Sequence, residues 1–171
     1  MEHRFATELR TSGRELTGHA AVWDTPAAIE GFTETVRRGA FRATLASGDD
    51  IACLVDHDPA RLLGRTSSGT LALREDGHGL AFTVAVPHTS LGDDVLELAR
   101  RGDLGGMSFG FRVPAGGDAW PKPGQRELKA VELAEVSIIH FRPAYGGTSV
   151  AARAAAARLS VPALRLRLAI G

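Results

Sequence analysis

Three short stretches of this 171-residue chain carry side chains suited to chemistry. The first is His57, set between Asp56 and Asp58 where the apolar run Ile51-Ala52-Cys53-Leu54-Val55 ends. An imidazole titrates near neutrality, so one fixed at a strand exit can serve as a general base. Taken alone, Asp-His-Asp is also ordinary surface-loop composition. The second is Ser108 in Gly105-Gly106-Met107-Ser108-Phe109-Gly110-Phe111. Glycines beside a serine remove Cβ bulk and would let a substrate carbonyl approach its hydroxyl, although taken alone a serine between large apolar neighbours reads as a plain strand residue. Gly106-Met107-Ser108-Phe109-Gly110 matches the nucleophile-elbow spacing only literally, because no strand-to-helix turn follows. The third is Glu135 in Leu133-Ala134-Glu135-Val136-Ser137-Ile138-Ile139-His140. Strand alternation puts Glu135, Ser137 and Ile139 on one face and Val136, Ile138 and His140 on the other. A carboxylate in so apolar a strand needs a partner. An imidazole it orients would serve, and so would a structural ion pair with Arg65 or Arg112.

These residues must be positioned by a strand-rich chain. Gly 20 and Pro 8 exceed the usual share and imply many turns between short elements. Strands are predicted at residues 5–11 and 15–23 around a Ser12-Gly13-Arg14 hairpin loop, at 32–36, and at 51–55 as a buried run. A meander is predicted over 61–66, 70–74 and 80–86, and further strands at 107–113, 127–133 and 135–141, with a Gly/Pro-rich excursion at 115–125. A short helix is predicted over 39–46, ending at Ser47-Gly48. A longer one runs from Thr89 or Ser90 to Arg101, with Leu91, Val95, Leu98 and Ala99 on one face and Gly102 as its stop. Eight or nine strands with few helices predict a mainly β fold, a mostly antiparallel sheet curled into a barrel with helices packed outside. Residues 1–147 form the expected domain. Residues 148–171 form an Ala/Arg-rich tail, with a helix-prone stretch at 151–159 and strand-like alternation at 164–168.

Composition narrows the function classes. Lys+Arg 20 balance Asp+Glu 20, but five arginines and no acidic residue follow Glu135, so an acidic body precedes a basic tail. A net-acidic body without a basic stacking platform disfavours specific nucleic-acid binding. No apolar run approaches the ~20 residues of a membrane span, and the N-terminus has no signal-peptide core. Cys53 is the single cysteine, lies in an apolar run and reads as a buried hydrophobe in a reducing compartment. A metal-dependent hydrolase centred on Asp56, His57 and Asp58 is the weaker reading, since adjacent residues point apart.

Taken in order, Val55-Asp56-His57-Asp58, Leu62-Leu63-Gly64-Arg65, Asp76-Gly77-His78-Gly79-Leu80, Met107-Ser108-Phe109-Gly110-Phe111, Leu133-Ala134-Glu135-Val136-Ser137 and Pro143-Ala144-Tyr145 resemble the prohead protease family of tailed bacteriophages. The resemblance runs from about Gly18 to Arg153. It implies a barrel like that of the herpesvirus assembly proteases and a serine endopeptidase that matures the capsid, with no cofactor and no metal. It makes His57 the general base, Ser108 the nucleophile and Glu135 the group that orients the histidine. His140 is the alternative third member, since the herpesvirus relatives use a second histidine. Arg142 is a weaker candidate for stabilising the oxyanion. The implied substrates are the scaffold segment of the major capsid protein and the protease itself, inside the procapsid in the bacterial host cytoplasm. A homodimer is implied by the herpesvirus relatives. The competing reading is a non-enzymatic barrel module that binds scaffold or capsid protein, with Ser108 and His57 merely structural.

Overall fold

Alternating apolar residues and frequent turn glycines give thirteen short strands and two helices in the computed structural model, which describes residues 1–6 and 8–140. In chain order they are β1 (Glu2–Ala6), β2 (Glu8–Ser12), β3 (Glu15–Val22), β4 (Ala27–Ile29), β5 (Phe32–Val36), α1 (Arg42–Ser47), β6 (Ala52–Val55), β7 (Asp58–Arg65), β8 (Leu71–Glu75), β9 (Gly79–Ala85), α2 (Ser90–Arg101), β10 (Gly106–Arg112), β11 (Asp118–Lys122), β12 (Gln125–Leu128) and β13 (Glu132–Ile139). They assemble into three sheets, ordered β1-β10-β13-β6-β7, β11-β12-β5-β4 and β2-β3-β9-β8.

The mainly β class is as expected, but the sheets are open. None of the three closes on itself among the described residues, so the barrel is not formed as a continuous ladder. Most ladders are antiparallel, while β13 runs parallel to β6 and β12 parallel to β5. The expected meander is also broken. Strand β8 pairs with β9, but β7 turns back onto β6 in the five-stranded sheet and only packs against the β8–β9 pair. A Cβ at Gly64 of β7 would lie 2.9 Å from Val84 Cγ2, so the two sheets touch there because residue 64 has no side chain. The 115–125 excursion folds into the β11–β12 hairpin, and the stretch expected as one strand at 127–133 divides between β12 and β13 in different sheets. The tail from 148 onward, with its predicted helix and strand, lies outside the described residues, as do Arg142 and Pro143-Ala144-Tyr145.

Local signals set the helix ends. Thr89 Oγ1 accepts from the Gly92 amide at 3.1 Å, and Gly102 closes α2 with φ +74°. Leu96 as well as Val95 is buried, which turns the apolar face slightly from the expected one. The core between the sheets holds Phe41, Phe109 and Phe111 at 1% exposure or less. Phe41 meets Phe109 edge-on at 5.4 Å, a pairing worth about 0.5–1.5 kcal/mol beyond area burial.

One polar cluster fixes where β1 lies. Glu34 of β5, 2% exposed, accepts from both Arg4 and Arg126. Arg126 also donates to Glu2 at 2.6 Å and to Asp118 at 2.8 Å, and Arg4 donates to Glu2 at 2.7 Å. A carboxylate this buried is tolerated because two guanidinium groups satisfy it. The network fastens the edge strand of the five-stranded sheet to the β11-β12-β5-β4 sheet, and with it His3.

Candidate active site

The site is built on the β10–β13 ladder. Ser108 stands directly opposite Ser137, and Gly110 opposite Glu135, so these positions share one face of the sheet. On the other side of β10, His3 of β1 stands opposite Gly110. On the other side of β13, β6 runs parallel and ends in a two-residue turn, with Val55 paired to Asp58 across Asp56 and His57. Both turn residues have positive φ, +54° for Asp56 and +62° for His57. That is the backbone of the tightest hairpin turns, normally filled by Asn-Gly, and Asp and His are among the few other residues found there. The strain holds the imidazole back over the sheet.

Asp56 anchors the turn. Its carboxylate accepts from the His140 amide at 2.9 Å, and its Oδ2 lies 2.7 Å from His140 Nδ1 and 2.7 Å from Arg61 Nη1. Burial works against this charge, but the bonds to His140 and Arg61 hold its pKa below the ordinary carboxylate range. His140 is thus engaged by Asp56, while Glu135 bonds His57.

His57 and Glu135 meet: Nδ1 lies 2.7 Å from Oε1. His3 Nδ1 lies 3.3 Å from the same oxygen, and its ring stands against that of His57 with centroids 3.9 Å apart. Ser137 Oγ donates to the other oxygen, Oε2, at 2.5 Å. Burial raises the Glu135 pKa, but His3, His57 and Ser137 together override it and bring it down to about 2, so the carboxylate is ionised at neutral pH. Neither arginine considered from sequence is needed here, and Arg65 is paired with Asp50 instead.

Gly110 makes room for this carboxylate. A Cβ there would lie 2.3 Å from Glu135 Oε1. Its lack of a side chain therefore serves the acid, where the sequence suggested open access for substrate. Ser108 is not sterically open either: it sits mid-strand at 0% exposure, and its Oγ makes no hydrogen bond among the described residues. The expected His57–Glu135 contact is present, whereas the serine lies on the same face without a hydrogen bond to the imidazole. Catalytic hydrogen bonds are often loose without substrate, so the serine's position on this face is the informative feature.

The three residues of the metal-hydrolase reading diverge. Asp56 faces His140, His57 faces Glu135, and Asp58 Oδ1 accepts from the Ala60 amide at 2.9 Å. Cys53 is buried, its thiol pushed up to about 12 by burial and by the Glu135 charge, which makes it a poor nucleophile. Sequence reasoning missed His3. No motif surrounds it in the sequence, and its place comes from the ladder to Gly110.

Residues 3–160 match the family model of the Caudovirus prohead serine protease. The chain belongs to this family. Membership makes it a capsid-maturation protease of the serine class, the activity that an imidazole held by an ionised carboxylate beside a serine-bearing strand suits. No curated protein and no solved structure matches the chain. Among the described residues, no helix is long and apolar enough to cross a membrane.

Proposed function

We propose that this prohead protease cleaves the scaffold segment of the major capsid protein, and itself, inside the assembled procapsid, with Ser108 as nucleophile, His57 as general base and Glu135 as orienting acid. The observation that carries the assignment is the 2.7 Å contact between His57 Nδ1 and an ionised Glu135. Glu135 holds the tautomer with the proton on Nδ1, leaving the Nε2 lone pair to take the Ser108 proton. Ser108 Oγ then attacks the peptide carbonyl. His57 returns that proton to the leaving amine, and water hydrolyses the acyl-enzyme by the same relay. Chain order His, Ser, acid has no bearing on the chemistry, which depends on assembled geometry alone.

Because Ser108 is buried, substrate has to open the face above β10 before attack, so a slow enzyme is expected. Confinement with its substrate would compensate by raising effective concentration. The Ala/Arg-rich segment from residue 148 onward is read as a removable or encapsidation element. Pairing of two chains, by analogy with the herpesvirus proteases, is part of the same proposal.

The test joins two readouts. A serine-reactive phosphonate is expected to add one equivalent to the wild-type chain and none to Ser108→Ala. On prolonged incubation the wild-type intact mass is expected to fall by loss of a tail fragment, and that of Ser108→Ala to stay constant. Equal labelling of both would return the chain to a binding module. An intact wild-type tail would refute its removal.

A further inference from the structure

We propose that the chain binds one divalent transition-metal ion of zinc's class between His3, His57 and Glu135, and that the ion switches the peptidase off by reversing the tautomer of His57. Metal binding stands independently of the peptidase reading. The inhibition rests on it.

The donor set is two imidazoles and one carboxylate, and one ligand atom from each lies within 4.8 Å of the others. Two atoms bound tetrahedrally to zinc at its usual distances lie about 3.3 Å apart. His3 Nδ1 and Glu135 Oε1 are already 3.3 Å apart. His57 Nδ1 and Oε1, at 2.7 Å, have to part by about half an ångström as their hydrogen bond gives way to ligation. The remaining shell is in place: Ser137 bonds Oε2 and leaves Oε1 as the ligand oxygen, and the Arg4–Glu34–Arg126 network holds β1 where His3 belongs. Nitrogen-rich donors favour zinc, copper or nickel over magnesium or calcium. Three protein ligands leave the fourth position to water.

The chemical consequence follows from the ring. A metal on Nδ1 uses that lone pair, so the proton of the neutral imidazole moves to Nε2. No net proton is released, but Nε2 becomes a donor and has no lone pair for the Ser108 hydroxyl.

The experiment uses the full chain carrying Ser108→Ala, which keeps it intact and reads binding without peptidase activity. Titration with Co²⁺ is expected to saturate at one equivalent with the visible d–d bands of a tetrahedral site, and Zn²⁺ to displace it. His3→Ala in the same background is expected to weaken binding at least tenfold, with His3→Gln as a second variant should alanine loosen β1, which circular dichroism and thermal melting report. No binding, or binding unchanged by both variants, overturns the site. In the chain with Ser108 intact, Zn²⁺ is expected to block phosphonate labelling and a chelator to restore it. Binding without that block overturns the switch alone. Absent labelling in metal-free protein identifies failure of the peptidase reading instead.

Discussion

Gly110→Ala tests the geometry of the site without touching any group proposed to react. The added methyl would lie 2.3 Å from Glu135 Oε1, and contacts below 3.0 Å are essentially never seen for real Cβ atoms. The oxygen therefore has to retreat by about 0.7 Å to reach that limit, and by about 1 Å for comfortable contact. A free glutamate end would swing away at little cost. This one is held by His57 and Ser137 and crowded by His3, so its retreat strains and weakens the 2.7 Å bond. Overpacking of this kind costs about 1–3 kcal/mol of stability. Displacing a catalytic group by about 1 Å costs on the order of 10²-fold in rate. The expected result is a folded protein, somewhat less stable to urea, whose phosphonate labelling rate falls about a hundredfold. The downfield proton resonance of a carboxylate-bound imidazole Nδ1–H is expected to disappear with it. Wild-type labelling with that resonance intact would refute the argument that residue 110 is glycine on account of Glu135.

Two other outcomes follow from the charges. Glu34→Ala removes the buried carboxylate that Arg4 and Arg126 share but leaves both on Glu2 and Arg126 on Asp118, so a loss of about 1.5–3 kcal/mol in urea unfolding is expected, with β1 the first segment to gain amide exchange; a loss below about 0.5 kcal/mol would contradict the role given to the network. Glu135 has a folded pKa depressed to about 2, so its contribution to stability is fully present above its unfolded value near 4.3 and is lost as pH falls toward 2. The melting temperature of the wild type is expected to converge on that of Glu135→Gln across this window, and a constant difference down to pH 2 would count against an ionised, hydrogen-bonded Glu135.

Much of the local structure could be read from the chain. β5 at 32–36, the Thr89 cap and the Gly102 stop of α2, and the burial of Cys53 all follow from short-range pattern, because caps, turns and alternation act over a few residues. The placing of Glu135 and Ser137 on one face was legible for the same reason, and the hydrogen bond between them follows from it. The exit of a buried strand at Asp56-His57 was visible as well, but not the pair of positive φ angles that turns His57 back over the sheet.

Sequence alone determined the reactive residue types, the strand-rich class and the faces of single strands, all consequences of backbone periodicity and side-chain chemistry within a few positions. Only the tertiary structure decided that β7 pairs back onto β6 and does not continue into a meander with β8, that the sheets stay open, that residue 110 is glycine to admit a carboxylate, and that His3 joins Glu135 from more than a hundred residues away. The reason is that strand partners are chosen by long-range packing and hydrogen-bond closure. A period of two says which face a side chain takes and nothing about which strand lies beside it.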